Sequence, residues 1–217
     1  MADLHRVSCT TLESFRRLMD PDDEWTTEAD VIASVLRTTQ PTRKMILGSA
    51  LGEIIETTEK FYKPDLRAFE NRGVVFEELN LASVVFPLYD RRGPFEVKGT
   101  KVYGDMNVVA KVDQILGLQV IENKATTSTF DFWKYNDSVQ WRLECDIFGC
   151  TQFTYRIFLI KDDGEIVEVK DCVEFNLYPY PDLHADCAAL VGEFRAWANH
   201  KKLLPALAQQ QREASAR

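Results

Sequence analysis

The chain is poor in the features that would place it in a membrane, in a disulfide frame or around a transition metal. No run of about 18 apolar residues occurs, which excludes a membrane-spanning helix. The opening MADLHRVSCTTLESF has no apolar core segment, so it does not read as a secretory signal. The three histidines, His5, His184 and His200, lie too far apart to make a ligand pattern. Five cysteines (Cys9, Cys145, Cys150, Cys172, Cys187) are odd in number, scattered and without CxxC spacing. Reduced thiols in a cytosolic protein are expected, rather than disulfides or a structural zinc. A basic surplus is lacking as well, since 26 Lys and Arg against 34 Asp and Glu give a net charge of −8. That balance argues against a broad, non-specific nucleic-acid footprint but leaves room for a local basic groove.

What is present suits one well-packed domain: 217 residues, 45% hydrophobic and 28% charged, with no repeat, linker or low-complexity stretch. Residues 8–18 predict a helix opened by a capping box between Thr10 and Glu13. Residues 28–38 and 42–60 predict two more, the latter burying Met45, Ile46, Ala50, Leu51, Ile54 and Ile55. Gly48 and Gly52 within it suggest a close approach by another element. Strands are expected at 74–76, 82–88 and 95–102, with a turn at 90–94. A helix over 130–149, capped by Asn136 or Asp137, precedes strands at 153–159 and 166–175 that turn at 162–164. A helix over 183–200 follows, and the polar end from Gln209 is expected to fray. The order predicts a single α/β (α+β mixed) domain: a central mixed sheet flanked by helices.

The stretch 102–124, VYGDMNVVAKVDQILGLQVIENK, carries the chemistry. It reads as a strand over 108–113, a turn over 114–117 and a second strand over 118–125. Strand alternation puts Glu122 and Lys124 on one face, about 6.5–7 Å apart, and Asp113 at the end of the neighbouring strand reaches the same spot. Upstream, Glu56 lies on a predicted helix. Taken singly, each has an ordinary reading: Glu56 a solvated helix carboxylate, Asp113 the start of a turn, Gln140 a surface amide. Should Glu56, Asp113 and Glu122 meet, hard oxygen ligands without histidine or thiolate select Mg²⁺ or Mn²⁺ over zinc, with the Asn123 carbonyl as a further donor. Lys124 would orient a water, neutralise charge developing on phosphorus, or act as a base; the sequence leaves these roles open. The chemistry implied is phosphodiester hydrolysis.

In this arrangement the chain resembles the PD-(D/E)XK nuclease superfamily, in its RecB-like and phage-exonuclease branch. Five stretches match in order over nearly the whole length. Residues 8–18 resemble the opening S-x-T-x-L-x-x-F helix, and GSALGEIIE over 48–56 resembles G-x-x-x-H-x-x-x-E. VAKVD over 109–113 resembles the strand ending in the metal-binding Asp, and IENKAT over 121–126 the (D/E)-x-K-T strand. SVQ over 138–140 resembles the start of the Q-x-x-x-Y helix lining a nucleic-acid cleft. The resemblance implies a restriction-endonuclease-like core, Glu56, Asp113, Glu122 and Asn123 as ligands of Mg²⁺, and Lys124 with Glu122 and Asp113 as the catalytic set. It places Ser138, Gln140 and Arg142 against DNA. Two departures stand out: Gly52 replaces the family's His, and Glu144 replaces its Tyr. Glu53 and Asp105 are the alternative carboxylates if the register slides. No iron–sulfur cluster is expected, because the cysteines are not placed for one.

The resemblance further implies a metal-dependent deoxyribonuclease, an exonuclease of recombination, repair or phage DNA processing, in the cytoplasm of a bacterial or phage-infected cell. Its partners would be double-stranded ends or single strands of DNA, a recombination protein and further copies of itself, with no membrane. The competing expectations are a nuclease-fold protein that binds DNA or a protein without cutting, and a structure-specific endonuclease.

Overall fold

Hydroxyl caps and alternating apolar residues set out the elements. The computed structural model describes residues 4–89 and 93–216. β1 (His5–Ser8) leads straight into α1 (Cys9–Met19), whose first turn is closed by the Ser8 hydroxyl accepting the Thr11 N–H at 3.1 Å. α2 (Glu28–Leu36) begins on a reciprocal cap between Thr27 and Asp30 and ends at Arg37, which takes a left-handed conformation. Thr42 caps α3 (Arg43–Glu56), and α4 (Thr58–Phe61) adds one turn. β2 (Tyr62–Lys63), β3 (Ala68–Asn71) and β4 (Val74–Glu77) lead to the short α5 (Glu78–Asn80), which runs on into wider and tighter helical turns to Leu88. β5 (Phe95–Tyr103), β6 (Met106–Leu116) and β7 (Gln119–Thr126) follow. α6 (Phe132–Asn136) and α7 (Val139–Phe148), the second capped by Ser138, cross to β8 (Gln152–Asp162) and β9 (Val167–Leu177). α8 (Leu183–His200) and α9 (Leu204–Ser215), with Pro205 in its first turn, complete the order.

Among the described residues nine strands form one mixed sheet in the order β1-β6-β7-β8-β9-β4-β3-β2, with β5 also on β6. β5 occupies one edge of β6 in antiparallel register. The other edge is shared, with β1 parallel to Met106–Val109 and β7 antiparallel to Gln114–Leu116. Residues 110–113 pair with neither, so the sheet forks there. β7 and β8 are parallel, with Glu122 opposite Tyr155, and α6 and α7 make the crossover that a parallel pair requires. Helices cover both faces. On one, α1, α2, α7, α8 and α9 enclose Phe15, Leu143, Phe153, Tyr155 and Phe194; on the other, α3 packs Leu51 and Ile54 against Phe76, Phe158 and Ile160. β8 feeds both cores by alternation, Phe153, Tyr155 and Ile157 to one side and Phe158 and Ile160 to the other.

Several expectations need correction. The central hairpin turns on Gly117 and Leu118 alone, because Gly117 adopts φ +60; Gln114 to Leu116 stay in the strand, and Asp113 is therefore not strand-terminal. The apolar stretch 82–88 is helical, not extended: Leu81 and Val85, one turn apart, are both fully buried, a helical period. Ser8 caps α1 in place of Thr10, since Glu13 is engaged elsewhere. α3 stops at Glu56, so that residue ends a helix and does not sit within one; Met45 is half exposed while Leu47 enters the core. Among the described residues no neighbouring element lies within 4 Å of where a Cβ on Gly48 or Gly52 would stand. Residues 130–149 make two helices, with Ser138, not Asn136 or Asp137, capping the longer. The polar end is helical through Ser215, tied down by Gln210 to the Val35 carbonyl at 2.7 Å and by Asn107 to Gln211 at 2.8 Å. β1, β2 and β3 were too short to announce themselves. In the turn expected at 90–94, residues 90–92 lie outside the described residues.

Candidate active site

The site grows out of the fork in the sheet. The last backbone pairing between β6 and β7 on this side is Gln114 with Ile121. One step further, side chains take over the ladder: the Asp113 carboxylate accepts the Asn123 N–H at 2.7 Å, and Glu122 Oε2 receives the Asp113 N–H in a long 3.4 Å contact. Glu122 is only 6% exposed, so its charge must be answered locally. Its Oε1 accepts Lys124 Nζ at 2.9 Å and Gln140 Nε2 at 3.1 Å, while Lys124 Nζ also donates to Gln140 Oε1 at 3.1 Å. Gln140 thus clasps both halves of the Glu122–Lys124 pair from α7. The same Gln140 Nε2 donates to Glu144 Oε1 at 2.8 Å, one turn along the helix.

Negative charge is in surplus here. Burial first, and the Glu122 charge second, push the Asp113 carboxyl up to about 7, against the opposing pull of the Asn123 N–H and Lys124. Glu144 is 1% exposed and has no partner for Oε2; burial and the Glu122 charge drive its carboxyl well above the usual range. Burial lowers the Lys124 ammonium, but Glu122 and Glu144 outweigh it, so Lys124 stays charged. The Asn123 side chain also acts on the Asp113 carboxylate, while Glu122 Oε2 has a long contact with the Asp113 N–H. Two crowded carboxylates fit a hard divalent cation, for which Mg²⁺ commonly uses one or two carboxylates plus water and substrate oxygens.

The anticipated residues are only partly gathered. Asp113, Glu122, Lys124 and Gln140 meet, and Asn123 joins through its N–H. Glu56 does not: its exposed side chain lines a separate pocket of about 250 Å³ with Phe86, Tyr89 and Phe95. Among the described residues no three acidic, histidine or cysteine side chains stand close enough to share a cation. Tyr89 is the link between the two places, donating its hydroxyl to Asn123 Oδ1 at 3.2 Å and feeling the Asp113 charge. The alternative carboxylates are structural: Glu53 bonds Asn71 and Arg72, and Asp105 holds Arg195 in paired bonds. Ser138 and Gln140 are buried, at 5% and 7% exposure, with no face left for DNA; Ser138 donates to Glu13 at 3.0 Å. Arg142 lies over the Trp141 ring and reaches the Asn136 carbonyl at 3.5 Å. Tyr89 escaped the sequence reading, and Glu144 entered it only as a departure from Q-x-x-x-Y; its place four residues from Gln140 on one helical face was the available signal that it joins the cluster.

Three kinds of comparison bear on the fold. No family model matches the sequence, and no curated protein matches it. Solved structures do. The crystal structure of SSO0001 superposes with a TM-score of 0.53 at 14% identity, covering 89% of this chain and 76% of that one. A candidate exonuclease from Eubacterium rectale gives 0.54 at 13% identity, over 93% and 81% of the two chains. A looser likeness, TM-score 0.45 at 14% identity over 99% and 96%, is to the alkaline exonuclease LHK-Exo from Laribacter hongkongensis. The first two share this chain's architecture, a central mixed sheet flanked by helices.

Proposed function

We propose that the protein is a metal-dependent deoxyribonuclease, an exonuclease working on DNA ends in recombination, repair or phage DNA processing. One observation carries the reading: at the only place where β6 leaves both β1 and β7, Asp113 and Glu122 crowd together beside a charged lysine. The likeness in fold to a candidate exonuclease supports it. Asp113 and Glu122 would hold Mg²⁺ or Mn²⁺, which when bound supplies a polarised phosphoryl oxygen and a more acidic water. Glu56, at the end of α3, is no part of this set.

The chain's own residues do the rest. Lys124, kept cationic by Glu122 and Glu144, places a fixed positive charge where negative charge develops on the phosphate; a lysine so held is a poor base. Gln140 fixes the rotamers of both Lys124 and Glu122, and the Asn123 N–H fixes Asp113. The test compares linear with covalently closed circular DNA in Mg²⁺ or Mn²⁺. Digestion of linear DNA that Lys124→Ala abolishes is the expected result. Equal background cleavage by both proteins would make this a binding protein on a nuclease fold, and digestion of closed circles would make it an endonuclease.

A further inference from the structure

An indole stands in water at the end of a series of packed rings. Trp133, on α6, is 66% exposed, and its neighbour Phe132 is 37% exposed. Phe132 packs edge-on against Trp133 at 5.4 Å and against Phe175 at 5.2 Å. Phe175 contacts Tyr155 at 5.6 Å, and Tyr155 contacts Tyr135 at 5.4 Å. Tyr155 is opposite Glu122 in the sheet register, and the Lys124 charge acts on the Tyr135 hydroxyl. The buried end of this ring series therefore lies beside the candidate active site, and the exposed end is held in place from the core. A side chain so fixed gives up little freedom on meeting a partner.

The charges around it are equally unusual for a chain of net charge −8. Burial lowers the Lys134 ammonium on α6, and the charges of Arg17 from α1 and Lys44 from α3 lower it further against the opposing pull of Asp131. Arg17 is engaged by Glu13 at 2.8 Å, whereas Lys44 and Lys134 have no carboxylate in ion-pair range among the described residues. Cations brought together from three helices favour an anionic partner. Flat rings beside such cations match a polymer of flat bases on a phosphate backbone. The bases must be free to stack, which a duplex does not permit.

We infer that Trp133, with Phe132 behind it and Lys44 and Lys134 alongside, is a docking platform for single-stranded DNA leading to the active site. The inference takes from the proposed function only that DNA is the substrate, and it is tested without cleavage. Fluorescence anisotropy of a labelled oligothymidine, with Ca²⁺ or EDTA replacing Mg²⁺, measures binding by the full chain. The wild type is expected to prefer the single strand over a duplex of equal length. Trp133→Ala should weaken single-strand binding about tenfold while leaving duplex binding unchanged. Trp133→Phe should restore most of it, and Lys44→Glu with Lys134→Glu should weaken binding and flatten its salt dependence. Trp133 is on the surface, so circular dichroism should report the same fold for each variant. The inference falls if Trp133→Ala binds oligothymidine as the wild type does. It also falls if that variant's only change is a loss of self-association in sedimentation, which would make the patch an interface between copies. A protein that binds through Trp133 yet never cuts would keep this inference and lose the proposed function.

Discussion

Two buried carboxylate clusters sit on either end of α7, and they are built in opposite ways. At the end of the helix, Asp146 is answered by donors from every side: Lys101 Nζ at 2.7 Å, the Tyr103 hydroxyl, and His184 Nδ1 at 2.8 Å. These bonds outweigh burial and hold its carboxyl below the usual range. Around Gln140, near the start of the helix, Asp113, Glu122 and Glu144 share one lysine and one amide, and burial together with mutual repulsion raises Asp113 and Glu144. The first cluster is complete as it stands and ties β5 to α7 and α8. The second is short of positive charge, as the proposed cation site would be. Carboxylates of equal intrinsic acidity are thus satisfied in one region and left crowded in the other.

The contrast can be broken most sharply by removing single charges. Lys124→Ala and Asp113→Ala should each lower DNA cleavage at least a thousandfold, roughly 4 kcal/mol of barrier, in a single-turnover assay. Asp146→Ala should leave the chemistry intact until the fold fails. Chemical denaturation should show it less stable by about 2–4 kcal/mol, because the buried Tyr103 hydroxyl and Lys101 lose their acceptor. Asp113→Asn should do the reverse, leaving the metal-free protein as stable as the wild type or more so near pH 8.

Next in size is the pH dependence of the metal-free protein. Asp113 has a folded value near 7, above its unfolded one, so its favourable contribution is complete below about pH 4 and is lost as the pH rises through 7. Asp146 runs the other way, contributing above the unfolded value and losing that contribution as acid protonates it. Urea titrations from pH 4 to 8 should show the Asp113 fall, about 2–4 kcal/mol at most, vanish in Asp113→Asn. Mg²⁺ at saturating concentration should raise the melting temperature at pH 8 by a few degrees in the wild type and not in that variant. A melting temperature indifferent to Mg²⁺ would count against Asp113 and Glu122 as a cation site. Glu144→Gln should also shift stability in favour of the variant at high pH, as urea titration at pH 8 would show, since it removes a buried acid that resists ionisation.

Much of this was readable in the residues, and the losses have physical causes. The alternation from Phe153 to Leu159 and the helix Leu183–His200 were plain because long periodic segments leave little choice of face. Strand parity put Glu122 and Lys124 together, whereas Asp113 was expected there as a strand end and reaches Asn123 from within β6 instead. The stretch 82–88 was misread because a short apolar run satisfies both periods, and only the partners of Leu81 and Val85 decide. Ser138 and Gln140 were assigned to a DNA surface although they face inward, because a serine or glutamine in sequence does not declare whether its partner is water or a carboxylate. Glu56 was placed with the acids on resemblance, and the early end of α3 leaves it beside another pocket.

Glu13 joins the first helix to the site. It reaches from α1 to accept the Val139 N–H at 2.7 Å, a carboxylate set at the positive end of α7, while Arg16 and Arg17 steady it from behind. The helix that carries Gln140 is thereby hitched to a side chain more than a hundred positions earlier. An engineer seeking to idle this protein while sparing every acid, amide and lysine at its centre would loosen that hitch, and would watch the clasp on Lys124 drift out of line.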